Sequence, residues 1–419
     1  MTATAAPRPA HDLAGPRPQP VGALPWPAGM LLLPDTDEAA EISRALVVGT
    51  IPEVWPDDLR FVELALDDDP EGAAASIPGD DAISRYNRAV LVGGDDAWER
   101  LTAETTGELR ALVDTARFSV GLLDLPPDAS SASGEIAGVV GSARASSAME
   151  HGDFATAVTE LEAGATAARE AGSPILAASL DLTRAELVRE RLDDAASAAR
   201  IADLAVQRLP LTAPSELRAE LQVTRALARQ ELAGTDRGAL LAVVADLQEA
   251  TKVFREETYP EMFATINQHL ALAYLVIPMS SDGDRIRVGV AVNSLRAALR
   301  VFTPETHPVA WASTQLNLAN ALQYLPSVHQ ESNLDEAVQL YEEVLQYRDP
   351  EKDPLGYARI LANQGNALGH LGVFGDARQR LEAARAVFVQ YDDGDAVAGV
   401  DEVLASLDAA ESAARGTGA

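Results

Sequence analysis

From about residue 130 onward, apolar residues recur at three- and four-residue spacing in stretches of 15 to 18 residues. Short breaks containing Gly, Pro, Asp or Asn separate the stretches. A period near 3.6 with one apolar stripe predicts consecutive amphipathic helices. No alternating pattern that would mark a strand occurs beyond residue 130. Between Trp26 and Pro127 the pattern is less regular. It predicts helices over Asp37–Val48, Asp57–Leu66, Asp81–Val92 and Asp96–Leu123, each opened by or just behind an Asp suited to an N-cap. Residues 1–25 are Pro-rich among small residues, which predicts a mobile polar tail. PPDASSASGE (126–135) reads as a linker into the helical array.

The helical stretches repeat. HPVAWASTQLNLANALQYL (307–325) aligns with DPLGYARILANQGNALGHL (353–371) at an offset of 46. Pro308 meets Pro354, Trp311 meets Tyr357, Asn317 meets Asn363 and Asn320 meets Asn366. YPEMFATINQHLALAYLVI (259–277) fits the same frame at an offset of 48. The partner helices align too: Val288, Ala291, Leu295 and Ala298 match Leu334, Ala337, Tyr341 and Val344. Small residues such as Ala319, Ala321, Gly365, Ala367, Ala377 and Ala384 allow two helices to approach closely. A proline opens each first helix, where its missing N–H costs nothing. One hairpin alone exposes an apolar face, and stacking neighbours buries it. Weaker units are visible at 136–171, 174–208, 215–255 and 260–302.

This arrangement resembles the tetratricopeptide repeat family. NQGNALGHLGVFGDARQRLEAARAVF (363–388) carries the family's Gly–Asn–Ala (365–367) and Leu–Gly–x–aromatic (371–374), then Ala377, Leu381 and Ala384. NLANALQYL…NLDEAVQLYEEVL (317–345) matches as well, apart from an insertion, PSVHQESN, between its helices. The repeat length, about 46 residues, exceeds the family's usual one. The resemblance spans roughly residues 136–390. It implies an all-α, right-handed superhelical solenoid of helix-turn-helix repeats over 136–392. An irregular, acidic, helical region (26–128) would precede it, and a capping helix and tail (393–419) would close it. It also implies that first-helix side chains line a concave groove that binds an extended peptide.

Composition narrows the chemistry. The chain holds 64 Asp and Glu against 33 Lys and Arg, a formal net charge of −31. Residues 1–134, with 23 acids and 9 bases, are the more acidic per residue. Such charge opposes sequence-independent nucleic-acid binding and adsorption to anionic membranes. Runs such as Asp67–Asp68–Asp69 read as a solvated loop, or else as a site for a basic partner. Cysteine is absent, so disulfides and thiolate chemistry are excluded. The six histidines never pair at three- or four-residue spacing, so no metal site is expected. No phosphate loop and no G-x-S-x-G elbow occurs. Glu342–Glu343 reads as an exposed helix face, not as an acid–base pair. The chain is therefore expected to be non-catalytic and to need no cofactor. The start, MTATAAPRPAHDLAG, lacks a signal-peptide pattern, and a cytoplasmic location is the expectation.

Asparagine is concentrated where a groove would lie. Five of the eight asparagines, Asn267, Asn317, Asn320, Asn363 and Asn366, fall in first helices, where Asn is a mediocre helix former. Amides on that face can bond both the N–H and the C=O of an extended peptide. Gln268, Arg359 and His370 share the face, with apolar contact from Leu272, Leu316 and Tyr324. The alternative is that the amides bond neighbouring helices and stiffen the array. The family's clamp for an acidic carboxyl terminus is only partly present: Leu316 stands where a Lys is expected, and only Lys252 and Lys352 exist. The inserted loops 278–287 and 326–333 are either functional edges or spacers. The reading is a protein-interaction scaffold for a peptide segment or subunit surface. An assembly or maturation factor for an oligomeric enzyme, with chaperone-like binding and release, is the alternative; a self-associating structural protein is a third.

Overall fold

The protein is described from a computed structural model that covers residues 18–278, 285–325 and 329–416. It packs as two units, residues 1–232 and 233–419. All regular structure among the described residues is helical.

Unit 1 begins with six helices: α1 (Asp37–Leu46), α2 (Arg60–Leu66), α3 (Pro70–Ser76), α4 (Ala82–Val92), α5 (Asp95–Glu104) and α6 (Gly107–Ser119). Five longer ones follow: α7 (Gly134–Glu150), α8 (Phe154–Glu170), α9 (Pro174–Arg191), α10 (Ala195–Arg208) and α11 (Ser215–Ala233). The helix expected over Asp96–Leu123 is two, broken at Thr105, Thr106 and Gly107, where Gly107 takes φ 62°. The aspartate run 67–69 is an exposed turn between α2 and α3, and its last member, Asp69, accepts a hydrogen bond from the Gly72 amide and caps α3.

The tail expected over residues 1–25 lies outside the described residues up to position 17. Gln19, Pro20 and Val21 are buried, Val21 fully so. Met30 closes a short 3-10 turn (Ala28–Met30), and Leu31, Leu32 and Leu33 follow it buried in succession without regular structure, so their backbone groups need other partners. Asn87 of α4 bonds both the N–H and the C=O of Leu32, at 2.9 and 2.8 Å. Tyr86 donates to the Met30 carbonyl at 3.0 Å, and the Leu33 amide donates to Gln19 at 3.1 Å. Glu135, fully buried at the start of α7, accepts from the Gln19 amide and the Ser173 hydroxyl. One hydrophobic core runs from Val21 to Leu187, so residues 126–135 do not separate two cores.

In α7–α10 the repeat geometry is direct. α7 pairs with α8 and α9 with α10. The turns within these hairpins place Gly152 (φ 74°) and Asp193 (φ 53°) in the left-handed region. Asp153 and Asp194 then cap the second helices through the Thr156 and Ser197 amides. The α7–α8 approach is close enough that a Cβ on Gly141 would lie 2.9 Å from the Glu160 carbonyl oxygen.

Unit 2 contains α12 (Arg237–Ala250), α13 (Pro260–Val276), α14 (Arg285–Ala298), α15 (Pro308–Tyr324), α16 (Gln330–Tyr347), α17 (Pro354–His370), α18 (Phe374–Gln390) and α19 (Gly394–Gly416). The hairpin expected over 215–255 is thus divided, with α11 in unit 1 and α12 in unit 2. Pro260, Pro308 and Pro354 open α13, α15 and α17. The aligned second-helix columns are core: Val288, Ala291, Leu295 and Ala298; Leu334, Ala337, Tyr341 and Val344; and, matching the last three of these, Ala377, Leu381 and Ala384. Trp311 packs edge-on against Tyr347, centroids 4.8 Å apart. Ion pairs tie successive hairpins, as between Arg300 and Glu256 at 2.6 Å and between Arg296 and Glu336 at 2.8 Å. Residues 279–284 and 326–328 of the two inserted loops lie outside the described residues.

Candidate functional site

The first helices of unit 2, α13, α15 and α17, each bury one side and leave a strip to solvent. Leu318, Ala319, Ala321 and Leu322 of α15 are buried. Helical spacing then turns Ser313, Leu316, Asn317, Asn320 and Tyr324 together on the other side. The equivalent strip on α17 is Arg359, Asn363, Asn366 and His370, and on α13 it includes Gln268 and Leu272. Gln268, Leu272, Leu316, Asn317, Asn320 and Asn366 are half-buried. Arg359, Asn363 and His370 are exposed, and Tyr324 is 71% exposed.

Several of these side chains bond one another. Asn320 Oδ1 accepts from the Tyr341 hydroxyl at 2.5 Å and from Asn363 Nδ2 at 3.1 Å. Gln323 Nε2 donates to the same Tyr341 hydroxyl at 2.6 Å, and Gln323 Oε1 accepts from Asn366 Nδ2 at 3.1 Å. Three helices, α15, α16 and α17, are joined by this one network. Tyr341 is fully buried, and burial pushes its phenol well above the usual tyrosine range, so it stays a neutral donor. Gln268 Nε2 reaches Ser313 Oγ at 3.4 Å, a weaker link between α13 and α15. Asn267 turns inward and donates to the Phe263 carbonyl of its own helix.

The predicted residues therefore separate into two sets. Asn320, Asn363 and Asn366 meet in the network. Asn317 and Tyr324 share the face but make no hydrogen bond within the chain among the described residues. Arg359 stands 3.6 Å from Asp393, a long ion pair that leaves most of the guanidinium in water. Asn366 and His370 line a cleft of about 360 Å3 against α19, together with Glu402, Ser406 and Leu407. Glu342 and Glu343 serve as acceptors: Glu343 takes a bond from Gln315, and Glu342 takes bonds from Gln364 and Arg380.

Sequence reasoning missed Gln323 and Tyr341. A signal existed. Tyr341 occupies the column filled by Leu295 and Leu381, and a phenol in a leucine position needs a partner for its hydroxyl. The corresponding side of unit 1 is carboxylate-rich. Burial first, then Glu190 and Glu220, raise the Glu186 carboxyl, and burial first, then Glu216, raises Glu220. Asp181, buried beside Arg169 (2.7 Å) and Arg184 (3.7 Å), is also raised, because loss of water outweighs the two cations. Among the described residues no helix is long and apolar enough to cross a membrane.

No family profile matches the sequence, and no curated protein matches it. Among solved structures, the chain is similar to one in the TPR2AB-domain:pHSP90-complex of yeast Sti1. The identity is 16%, the match covers 65% of this chain and 98% of that one, and the TM-score is 0.24.

Proposed function

We propose that the chain is a non-catalytic protein-interaction scaffold that takes an extended peptide segment along the first-helix face of unit 2. One observation carries the reading: across α15 and α17 this face presents Asn317, Tyr324, Arg359 and the outer edge of Asn363 over an amide network that already holds its own geometry. A fixed polar surface loses little conformational freedom on binding. The amides supply bonds to peptide backbone, Tyr324 supplies a large amphipathic contact, and Leu316 and Leu272 supply apolar ground beneath it. In this reading Asn320 and Asn366 shape the surface, whereas Asn317, Tyr324 and Arg359 touch the partner. The resemblance of residues 317–388 to tetratricopeptide repeats supports the same use of the first-helix face.

The test is a random-peptide display library panned against the full chain. Selected peptides are then titrated against Tyr324→Ala, Arg359→Ala and, as an off-face control, Leu241→Ala. Truncating a central Tyr or Arg anchor is expected to weaken binding at least about tenfold. Equal affinity for all three variants would remove the groove from the account.

A further inference from the structure

Unit 1 holds a larger cleft, of about 770 Å3, bounded by residues 22–30, the end of α6 with the turn after it, and the facing sides of α7 and α9. Its polar lining is mostly acceptors; the exceptions are the Trp26 indole N–H and the Ser142 hydroxyl. Thr115, Ser119, Ser146, Ser179 and Thr183 each donate the hydroxyl proton to the carbonyl four residues back, over 2.7 to 3.3 Å. With the proton so placed, each oxygen presents lone pairs. Two carboxylates, Asp124 and Glu150, stand at the exposed rim, and neither takes an ion pair among the described residues. No Lys, Arg or His is among the lining residues. Trp26, 48% exposed, and the half-buried Phe118 supply aromatic walls.

These features select a charge and a shape. A guest facing mostly acceptors is favoured when it brings donors. Two unneutralised carboxylates favour a positive guest and repel carboxylates and phosphates. Aromatic faces attract cations and cover an apolar body. The volume lies within the usual range for small-ligand sites. We propose that this cleft binds an organic cation, an ammonium or guanidinium group carried on an apolar or aromatic body.

Two sources of that chemistry exist, a free amine and the basic side chain of a peptide, and two probes separate them. The full chain is titrated calorimetrically with 2-phenylethylammonium, with N-acetylarginine amide and with the uncharged 2-phenylethanol. Saturable binding of at least one cation is expected, with 2-phenylethanol far weaker. The variant Asp124→Asn/Glu150→Gln should weaken that cation about tenfold or more, with circular dichroism unchanged. Asp67→Asn/Glu71→Gln removes the same charge from exposed positions elsewhere in unit 1 and should leave affinity unchanged. Binding of the amine alone assigns the cleft to a free metabolite-like amine, and binding of the arginine probe alone assigns it to a peptide side chain. Absence of saturable binding by either cation up to millimolar concentration overturns the proposal. So does equal affinity for 2-phenylethanol, or an equal loss in the control variant.

Discussion

Asn320→Ala probes the network beneath the groove. The substitution removes the acceptor of the Tyr341 hydroxyl proton, the only one among the described residues, and Tyr341 is fully buried. Leaving a buried donor unmatched costs about 1–3 kcal/mol. The Asn363 bond is exposed and adds a few tenths at most. Alanine returns roughly 0.5 kcal/mol of helix propensity. The net loss is about 1–2 kcal/mol. Tyr341→Phe removes the donor itself. Its cost is smaller, about 0.5–1.5 kcal/mol, because the half-buried Asn320 and Gln323 can turn to water. In the double variant the orphaned hydroxyl no longer exists, so the two losses should fall short of their sum by about 0.5–1 kcal/mol. Native-state hydrogen exchange of the α16 amides reads unit 2 without interference from unit 1. Asn320→Ala should speed that exchange roughly 5–30-fold and leave α8 unchanged. Strict additivity of the two variants, or an Asn320→Ala effect below about twofold, would refute the network as a structural element.

Three further outcomes follow from the geometry. Gly141→Ala places a methyl 2.9 Å from the Glu160 backbone oxygen. The resulting shift should outweigh the roughly 1 kcal/mol that Ala gains in helix propensity, so thermal denaturation should come a few degrees lower. Because Glu220 has a raised carboxyl pKa in the fold, the native state holds its proton more tightly than the unfolded chain does. Stability therefore falls as pH rises from the ordinary glutamate value through the raised one. Glu220→Gln should raise the urea midpoint of unit 1 at pH 7, and the gain should shrink as pH falls to about 4. Asp153→Ala removes the α8 cap and should lower the urea midpoint of unit 1 in the same assay.

The repeat array was legible because its signals are local. The proline openings, the small residues at helix crossings and the apolar columns such as Val288–Ala291–Leu295–Ala298 each act within one or two turns. The region before residue 128 was less legible for the opposite reason. Met30, Leu32 and Leu33 are placed by Tyr86, Asn87 and Gln19, partners that lie 14 to 56 positions away. Residues 105–107 break a continuous apolar pattern through backbone conformation, and helical periodicity does not register such a break. The division at residue 232 also left no mark, because α11 and α12 each carry ordinary helical spacing. At the site, the pattern identified the face but left the amides' use open. Whether an Asn points to a ligand or to a neighbour depends on what stands opposite, and here Tyr341 stands opposite Asn320.

The central claim is that a partner lies on the first-helix face of unit 2. A photoreactive p-benzoylphenylalanine placed at Tyr324, and separately at Val389 on the second helix α18, tests it directly; both positions are at least half exposed. Irradiated with a library-selected peptide bound, the chain should cross-link to the peptide from position 324 and not from position 389. Cross-linking from 389 alone, or equally from both, would contradict the account.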